Sequence, residues 1–134
     1  MMIEYRVHDM SIDVYAFLNL VNAVWPGDYD EVKTTEALQK AINFTAYKDD
    51  QLIGCVRVLS DGYFFGTITE LLVHPDYQRQ GIGSQLMQLV AAHTPTRLYF
   101  GAQPEAEAFY EKNGCQKSLQ SYAIYKKRKG KGEA

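Results

Sequence analysis

"ITELLVHPDYQRQGIGSQLM", Ile68 to Met87, sets three signals side by side. Ile68, Leu71, Leu72 and Val73 form an apolar strand broken by a single charge, Glu70. A polar turn follows, from His74 to Gln80. Two glycines, Gly81 and Gly83, then stand where Ile82, Leu86 and Leu89/Val90 begin a helical repeat. A P-loop needs Lys after its last glycine, and none follows here. The dinucleotide fingerprint needs a third glycine at position 86, which is Leu. A strand, a turn and a helix opening at glycine leave up to four backbone N–H groups unpaired at the positive end of the helix dipole. Glycine there would let an anion approach without a Cβ in the way. An ordinary turn with Gly81 in a left-handed conformation fits the spacing equally well.

Outward from this stretch the chain reads as alternating elements. Upstream, Ile3–Val7 suggests a short strand, and Ser11 an N-cap for a helix carrying Val14, Phe17/Leu18, Val21 and Val24/Trp25. Pro26–Gly27 stops it. A weaker helical pattern spans Val32 to Ile42. Strand Asn43–Lys48 turns at Asp49–Asp50 into Leu52–Leu59, and a second turn at Ser60–Gly62 leads to the strand ending at Val73. Downstream, the glycine-led helix must end near His93, before Pro95. Arg97–Phe100 reads as a strand, Pro104 as the first turn of a helix, Asn113–Gly114 as its stop, and Tyr122–Lys126 as a last strand. This order predicts one mixed α/β layer structure.

Composition narrows the class. With 134 residues, 46% hydrophobic and 22% charged, the chain has the make-up of one soluble globular domain. No apolar run approaches the roughly 20 residues that span a bilayer, and the N-terminus lacks a signal-peptide pattern. Cys55 and Cys115 sit beside apolar residues and read as buried free thiols of a reducing compartment, so a cytoplasmic location is expected. Metal-ligand spacing is missing, so no metal is expected. The net charge of −2 comes from 14 basic and 16 acidic residues, yet five of the basic ones lie in KKRKGK, residues 126–131. The body before that tail is therefore acidic, which disfavours nucleic acid and favours cationic small molecules. Residues 126–134 read as a basic, disordered tail.

The stretch "ITELLVHPDYQRQGIGSQLM" resembles the signature of the GNAT superfamily of N-acetyltransferases. Gln78, Gly81 and Gly83 fill its glycine loop, and Ile68, Leu71 and Val73 its preceding strand. "AEAFYEKNGC" is similar to a second family segment through Ala106, Tyr110, Glu111, Lys112 and Gly114. The resemblance implies a single GNAT-like domain over residues 1–125, with a central mixed, mostly antiparallel sheet flanked by about four helices. It further implies acetyl-coenzyme A as donor. The backbone of Gln78, Arg79, Gln80, Gly81, Ile82, Gly83 and Ser84 would hold the pyrophosphate, with Gly81 turning the amides and Gly83 keeping the helix start clear beneath it. Leu71, Leu72 and Val73 would pair with the pantetheine arm as a neighbouring strand does, and an amide near Leu72 would polarise the thioester. Gln103 stands where the family often has a cofactor-contacting Asn, Cys115 replaces a usual Phe, and Arg79 occupies a position where small residues are common.

For chemistry, the resemblance makes Tyr110 the acid that protonates the leaving thiolate. Glu70 is the candidate base, because a charge beside the apolar trio Leu71–Leu72–Val73, in a strand that reads as central and buried on both faces, is rarely decorative. A structural ion pair, or a strand end that reaches water, is its alternative. His74 reads as structural, His8 and His93 as exposed. By the same resemblance the acceptor side comprises the loop Trp25–Asp30 and residues Gln116–Ser121. Trp25 and Tyr29 with Asp28 and Asp30 suit a cationic amine, while Tyr63, Phe64 and Phe65 add aromatic surface. The same aromatics would serve as core or homodimer contacts. A small-molecule amine N-acetyltransferase is expected. A protein lysine or N-terminal acetyltransferase would need an open groove beside Glu70. A non-catalytic acetyl-coenzyme A binding module would bind without turnover.

Overall fold

A computed structural model describes residues 2–126. The tail expected at 126–134 lies outside the described residues, apart from Lys126. The elements run β1 (Glu4–Arg6), α1 (Val14–Val24), α2 (Glu31–Gln39), β2 (Ile42–Lys48), β3 (Gln51–Ser60), β4 (Gly66–Val73), α3 (Ile82–His93) and α4 (Glu107–Lys112), with single 3-10 turns at Pro75–Tyr77 and Pro104–Ala106. The strands form one antiparallel sheet in the order β1-β2-β3-β4.

Local chemistry explains most boundaries. Asp13, rather than Ser11, caps α1, accepting from the Ala16 amide at 3.1 Å, while Ser11 donates its hydroxyl to Asp9. Asp30 caps α2 through the Lys33 amide at 2.7 Å. Asp49 and Asp50 both take positive φ, the geometry of a two-residue hairpin whose twist matches its strands, and Lys48 pairs with Gln51 across it. At the β3–β4 turn, the Asp61 carboxylate accepts from the amides of Tyr63, Phe64 and Phe65.

The sheet buries both faces. On one, Phe44, Ile53, Val56, Val58 and Ile68 pack against Ile82, Leu86, Met87 and Val90 of α3. On the other, Tyr47, Leu52, Cys55 and Leu72 meet Phe17, Leu20 and Val21 of α1 and Leu38 of α2. Burial of the four α3 side chains contributes about 6–12 kcal/mol before entropy. That anchor holds the start of α3 in place against local strain.

Strict alternation does not survive in β4. Arg57 pairs with Glu70 but the next residue, Val58, pairs with Ile68, so Thr69 is an extra residue. This bulge sends Ile68 to the α3 face while Glu70 and Leu72 share the α1 face. β4 is also the last full strand. Glu70 therefore does not sit in a central strand.

Two expected strands are not formed. At Arg97–Phe100 there is only a parallel bridge between Leu98 and Gly66, backed by the Tyr99 amide donating to Gly66 O at 2.9 Å. Glycine eases this approach, because a Cβ at position 66 would lie 2.6 Å from a Leu98 methyl and 2.7 Å from Thr96 Oγ1, and both side chains would have to shift. Tyr122–Lys126 is extended chain with no strand, and Leu119, Tyr122, Ile124 and Tyr125 are exposed. Its aromatic and β-branched composition suits a strand, but no described residue pairs with it. Cys55 is buried as expected, whereas Cys115 is only half-buried; both are free thiols. Burial pushes both thiols up, so both stay neutral near pH 7.

Candidate active site

Past Gly66, β4 has no partner on its outer side among the described residues. In an antiparallel strand, alternate amides and carbonyls point away from the paired neighbour. Residues from Ile68 to Val73 therefore present ready-aligned hydrogen-bonding groups to an open cleft of about 1120 Å³. Glu70, Leu71, Val73, Gln78, Arg79, Gly81, Ile82, Gly83, Ser84, Gln103, Tyr110 and Trp25 all line this cleft. Leu72, Gln80 and Tyr29 do not. The Leu72 side chain is fully buried under α1, so only its backbone is available to a ligand.

The loop at the end of β4 is held in an unusual backbone shape. Arg79 and Gly81 both have positive φ, +64° and +83°. For Arg79 the left-handed region costs about 1–2 kcal/mol, well below what the burial of α3 supplies. The Gln78 side chain ties the loop back by donating to Val73 O at 3.0 Å. His74 does the same by accepting from the Asp76 amide at 3.1 Å, a structural role as expected. Gly81 is the N-cap of α3, and no side chain caps that end. The first-turn amides are thus left for a ligand.

The two glycines differ. A Cβ on Gly81 would meet nothing within 4 Å, so its glycine serves the backbone angle. A Cβ on Gly83 would lie 3.1 Å from the Phe109 ring. Gly83 therefore admits α4 against α3, and the clearance expected beneath a pyrophosphate is filled by Phe109.

Across the cleft, Tyr110 is about half-buried, its ring edge-on to Phe100 at 4.9 Å and to Phe109 at 5.2 Å. Burial, assisted by the neighbouring Cys115, raises its hydroxyl above the ordinary tyrosine range, so it stays protonated at neutral pH. Its backbone carbonyl accepts from the Cys115 amide at 2.9 Å, which fixes the end of α4.

On the α1 side, Glu70 is gripped by Arg57. Arg57 Nη2 donates to Oε1 at 2.9 Å and Nε donates to Oε2; Thr69 Oγ1 adds a bond to Oε1 at 2.8 Å. The Arg57 guanidinium lies 5.8 Å from the centre of the Phe17 ring. Its hydrogen bond to Glu70 raises it further, ahead of the opposing effect of burial. Both side chains are less than a fifth exposed. Sequence reasoning missed Arg57, although the argument used for Glu70 would have found it: one charge inside the apolar run Leu52–Leu59.

Trp25 is the C-cap residue of α1 and lines the cleft beside Val24. Tyr29 holds its backbone, donating its hydroxyl to Trp25 O at 2.6 Å. Neither Tyr63–Phe65 nor 116–121 lines the cleft. Phe100, Phe109 and Lys112 line it without having been singled out for it, and the two aromatics carried no spacing signal.

A family model for the GNAT acetyltransferase domain matches residues 39–116, from the end of α2 through α4. An uncharacterised N-acetyltransferase, ycf52, of Pyropia yezoensis is 33% identical over 119 residues, covering 82% of this chain and 68% of its own length. A probable acetyltransferase of unknown function from Staphylococcus aureus superposes with a TM-score of 0.80 at 23% identity, covering 95% of this chain and all of that one. A GNAT-family acetyltransferase from Streptococcus pneumoniae gives 0.75 at 25% identity, covering 94% and 100%. The glycine loop leading into α3 and the half-buried tyrosine on α4 both fall within the residues the family model matches, and with these likenesses they show that the chain belongs to the GNAT family of acetyltransferases.

Proposed function

We propose that the chain moves an acetyl group from acetyl-coenzyme A to a primary amine of a small molecule, by direct attack. The observation that carries this reading is the cleft itself: the open edge of β4 runs from the left-handed loop at Arg79–Gly81 towards Glu70, with Tyr110 across from it. The uncapped amides of α3, with Arg79 and Lys112 at the cleft wall, suit phosphates. The β4 edge suits the amide-bearing pantetheine arm, by strand addition. Gln103 lines the same cleft and would contact that arm.

The amine must be neutral to attack. For a lysine-like amine of pKa about 10.4, neutrality at pH 7 costs roughly 4–5 kcal/mol. Glu70, directly or through one water, takes that proton while the new C–N bond forms. An outward β4 amide stabilises the developing oxyanion. As the C–S bond breaks, Tyr110 donates its proton to the thiolate. With unperturbed groups this transfer is uphill by about 2 kcal/mol. Burial of Tyr110 adds to that cost and keeps the hydroxyl in the donating form. Trp25 offers an aromatic face to a cationic acceptor. Free, neutral thiols fit a cytoplasmic enzyme.

One observation favours a second reading, a protein acetyltransferase. Residues 116–121 do not close over the acceptor side, and an open groove admits a peptide. Thiol release from acetyl-coenzyme A, with spermidine, 2-phenylethylamine and a lysine-containing peptide as acceptors, separates the two. Small amines turning over faster supports the proposal. Turnover of the peptide alone selects the second reading, and no release with any acceptor leaves a binding module.

A further inference from the structure

We infer that Arg57 is a positioning residue for the acetyl acceptor: by taking Glu70 in a two-point grip, it leaves one carboxylate oxygen, Oε2, to face the acceptor's nitrogen. This rests on the function proposed above and adds a residue and an orientation to it.

The argument begins with lone pairs. An ionised carboxylate has about four acceptor positions, two on each oxygen. Oε1 uses both of its own, on Arg57 Nη2 and Thr69 Oγ1. Oε2 has a single partner, Arg57 Nε. One acceptor position therefore remains, on Oε2, for an ammonium group or a water. The Arg57 fork is planar and rigid, so it fixes the plane of the carboxylate as well as its place.

The backbone builds the same arrangement from beneath. Arg57 and Glu70 stand opposite each other in the β3–β4 register. The Thr69 bulge brings Glu70 onto the α1 face beside Arg57. Phe17 on α1 backs the guanidinium, and the buried Cys55 lies two residues before it on the same strand face. With α1 behind the pair and the cleft in front, the carboxylate has one open direction.

Charge gives a second consequence. Arg57 cancels the Glu70 charge locally, so Glu70 receives an acceptor by directed hydrogen bonding more than by net attraction. Amines that reach Oε2 in line are favoured over cations of any shape.

The test is a set of variants assayed by thiol release with the fastest acceptor of the panel above, alongside acetyl-coenzyme A affinity and thermal stability. Arg57→Met is expected to lower kcat/KM for the amine by about 10–10² while acetyl-coenzyme A affinity holds within about twofold. Arg57→Lys keeps the charge without the fork and should fall between. In a Glu70→Gln background, Arg57→Met should cost nothing further, because a positioning residue acts only through what it positions. The exchange Arg57→Glu with Glu70→Arg should recover stability but not turnover, since it puts a cation at the cleft.

Additive losses in the double variant, or turnover restored by the exchange, overturn the inference and leave the pair a structural one. If Glu70→Gln alone keeps wild-type turnover, the proposed base falls and the inference with it, while acetyl transfer stands. If the wild type releases no thiol with any acceptor, the proposed function itself has failed.

Discussion

Alanine placed at the two loop glycines should produce opposite kinds of defect. At Gly81 the obstacle is the backbone angle: φ is +83° and nothing lies within 4 Å of an added Cβ. A side chain in that region costs about 1–2 kcal/mol. Gly81→Ala should therefore lower Tm by roughly 3–8 °C for a domain of this size. Relaxation of the strain turns the α3 amides away from the ligand, and acetyl-coenzyme A affinity should drop about tenfold, equivalent to about 1.4 kcal/mol. At Gly83 the obstacle is a neighbour. The added Cβ meets Phe109 at 3.1 and 3.3 Å, so the ring must give by a few tenths of an ångström. Replacing glycine inside a helix gains up to about 1 kcal/mol, which roughly offsets that crowding. Gly83→Ala should thus leave Tm within a few degrees and acetyl-coenzyme A affinity within about threefold. Its effect falls on kcat, by about tenfold, because Phe109 packs edge-on against Tyr110. Isothermal titration with coenzyme A and single-turnover acetyl transfer separate binding from chemistry. Equal affinity losses in both variants, with single-turnover rates intact, would refute this division and return Gly83 to a ligand-clearance role.

Further outcomes follow from individual groups. Tyr110→Phe should reduce kcat by about 10²–10⁴ with acetyl-coenzyme A affinity nearly unchanged; unaltered turnover would reject the acid role. Asp9 is buried and accepts from the Ser11 amide and hydroxyl, Thr45 Oγ1 and Tyr47 Oη. Burial alone would raise its carboxyl, but the bonds from Ser11, Thr45 and Tyr47 outweigh it and hold the carboxyl below its ordinary value. A depressed folded-state value stabilises the fold above the unfolded pKa of about 3.9, and that contribution is lost as pH falls through the folded value. Urea titrations should show wild type losing stability below about pH 4, with Asp9→Asn flatter there and about 1–3 kcal/mol weaker at pH 7.

What the sequence made legible was local chemistry. Asp49–Asp50 could be placed in a turn because two apolar runs flanked it, and Gly81 because a polar turn met a helical repeat. The unread features depend on neighbours far along the chain. Ser11 and Asp13 are both good capping residues, and only Asp9, docked on Thr45 and Tyr47, decides that Ser11 is occupied elsewhere. Arg97–Phe100 has a strand's composition but meets one neighbour at one point, Gly66. Tyr122–Lys126 likewise has a strand's composition and finds no edge among the described residues. At the site, Tyr110 and the loop residues were readable from the family resemblance. The contact between Gly83 and Phe109 was not, since an aromatic ring pressed on a glycine leaves no trace in spacing. Trp25 and Tyr29 read as a pair facing the acceptor, yet only Trp25 lines the cleft, and Tyr29 donates its hydroxyl to the Trp25 carbonyl.

Thr69 adds one residue to β4 without adding a pair to the sheet. Its consequence concerns the length of the chain more than its chemistry. Any amino acid at position 69 would still supply the extra residue, so substitutions there should be tolerated structurally, at the cost of one hydrogen bond to Glu70. Without the bulge, Ile68 and Glu70, two residues apart, would share a face, putting a carboxylate among the apolar contacts of α3 or an isoleucine opposite Arg57. Deleting Thr69 would remove the bulge but make the two neighbours, so they would stay on opposite faces. The faces of Ile68 and Glu70 are thus set by the bulge together with their two-residue separation, and straightening the strand at constant length is the change that would undo them.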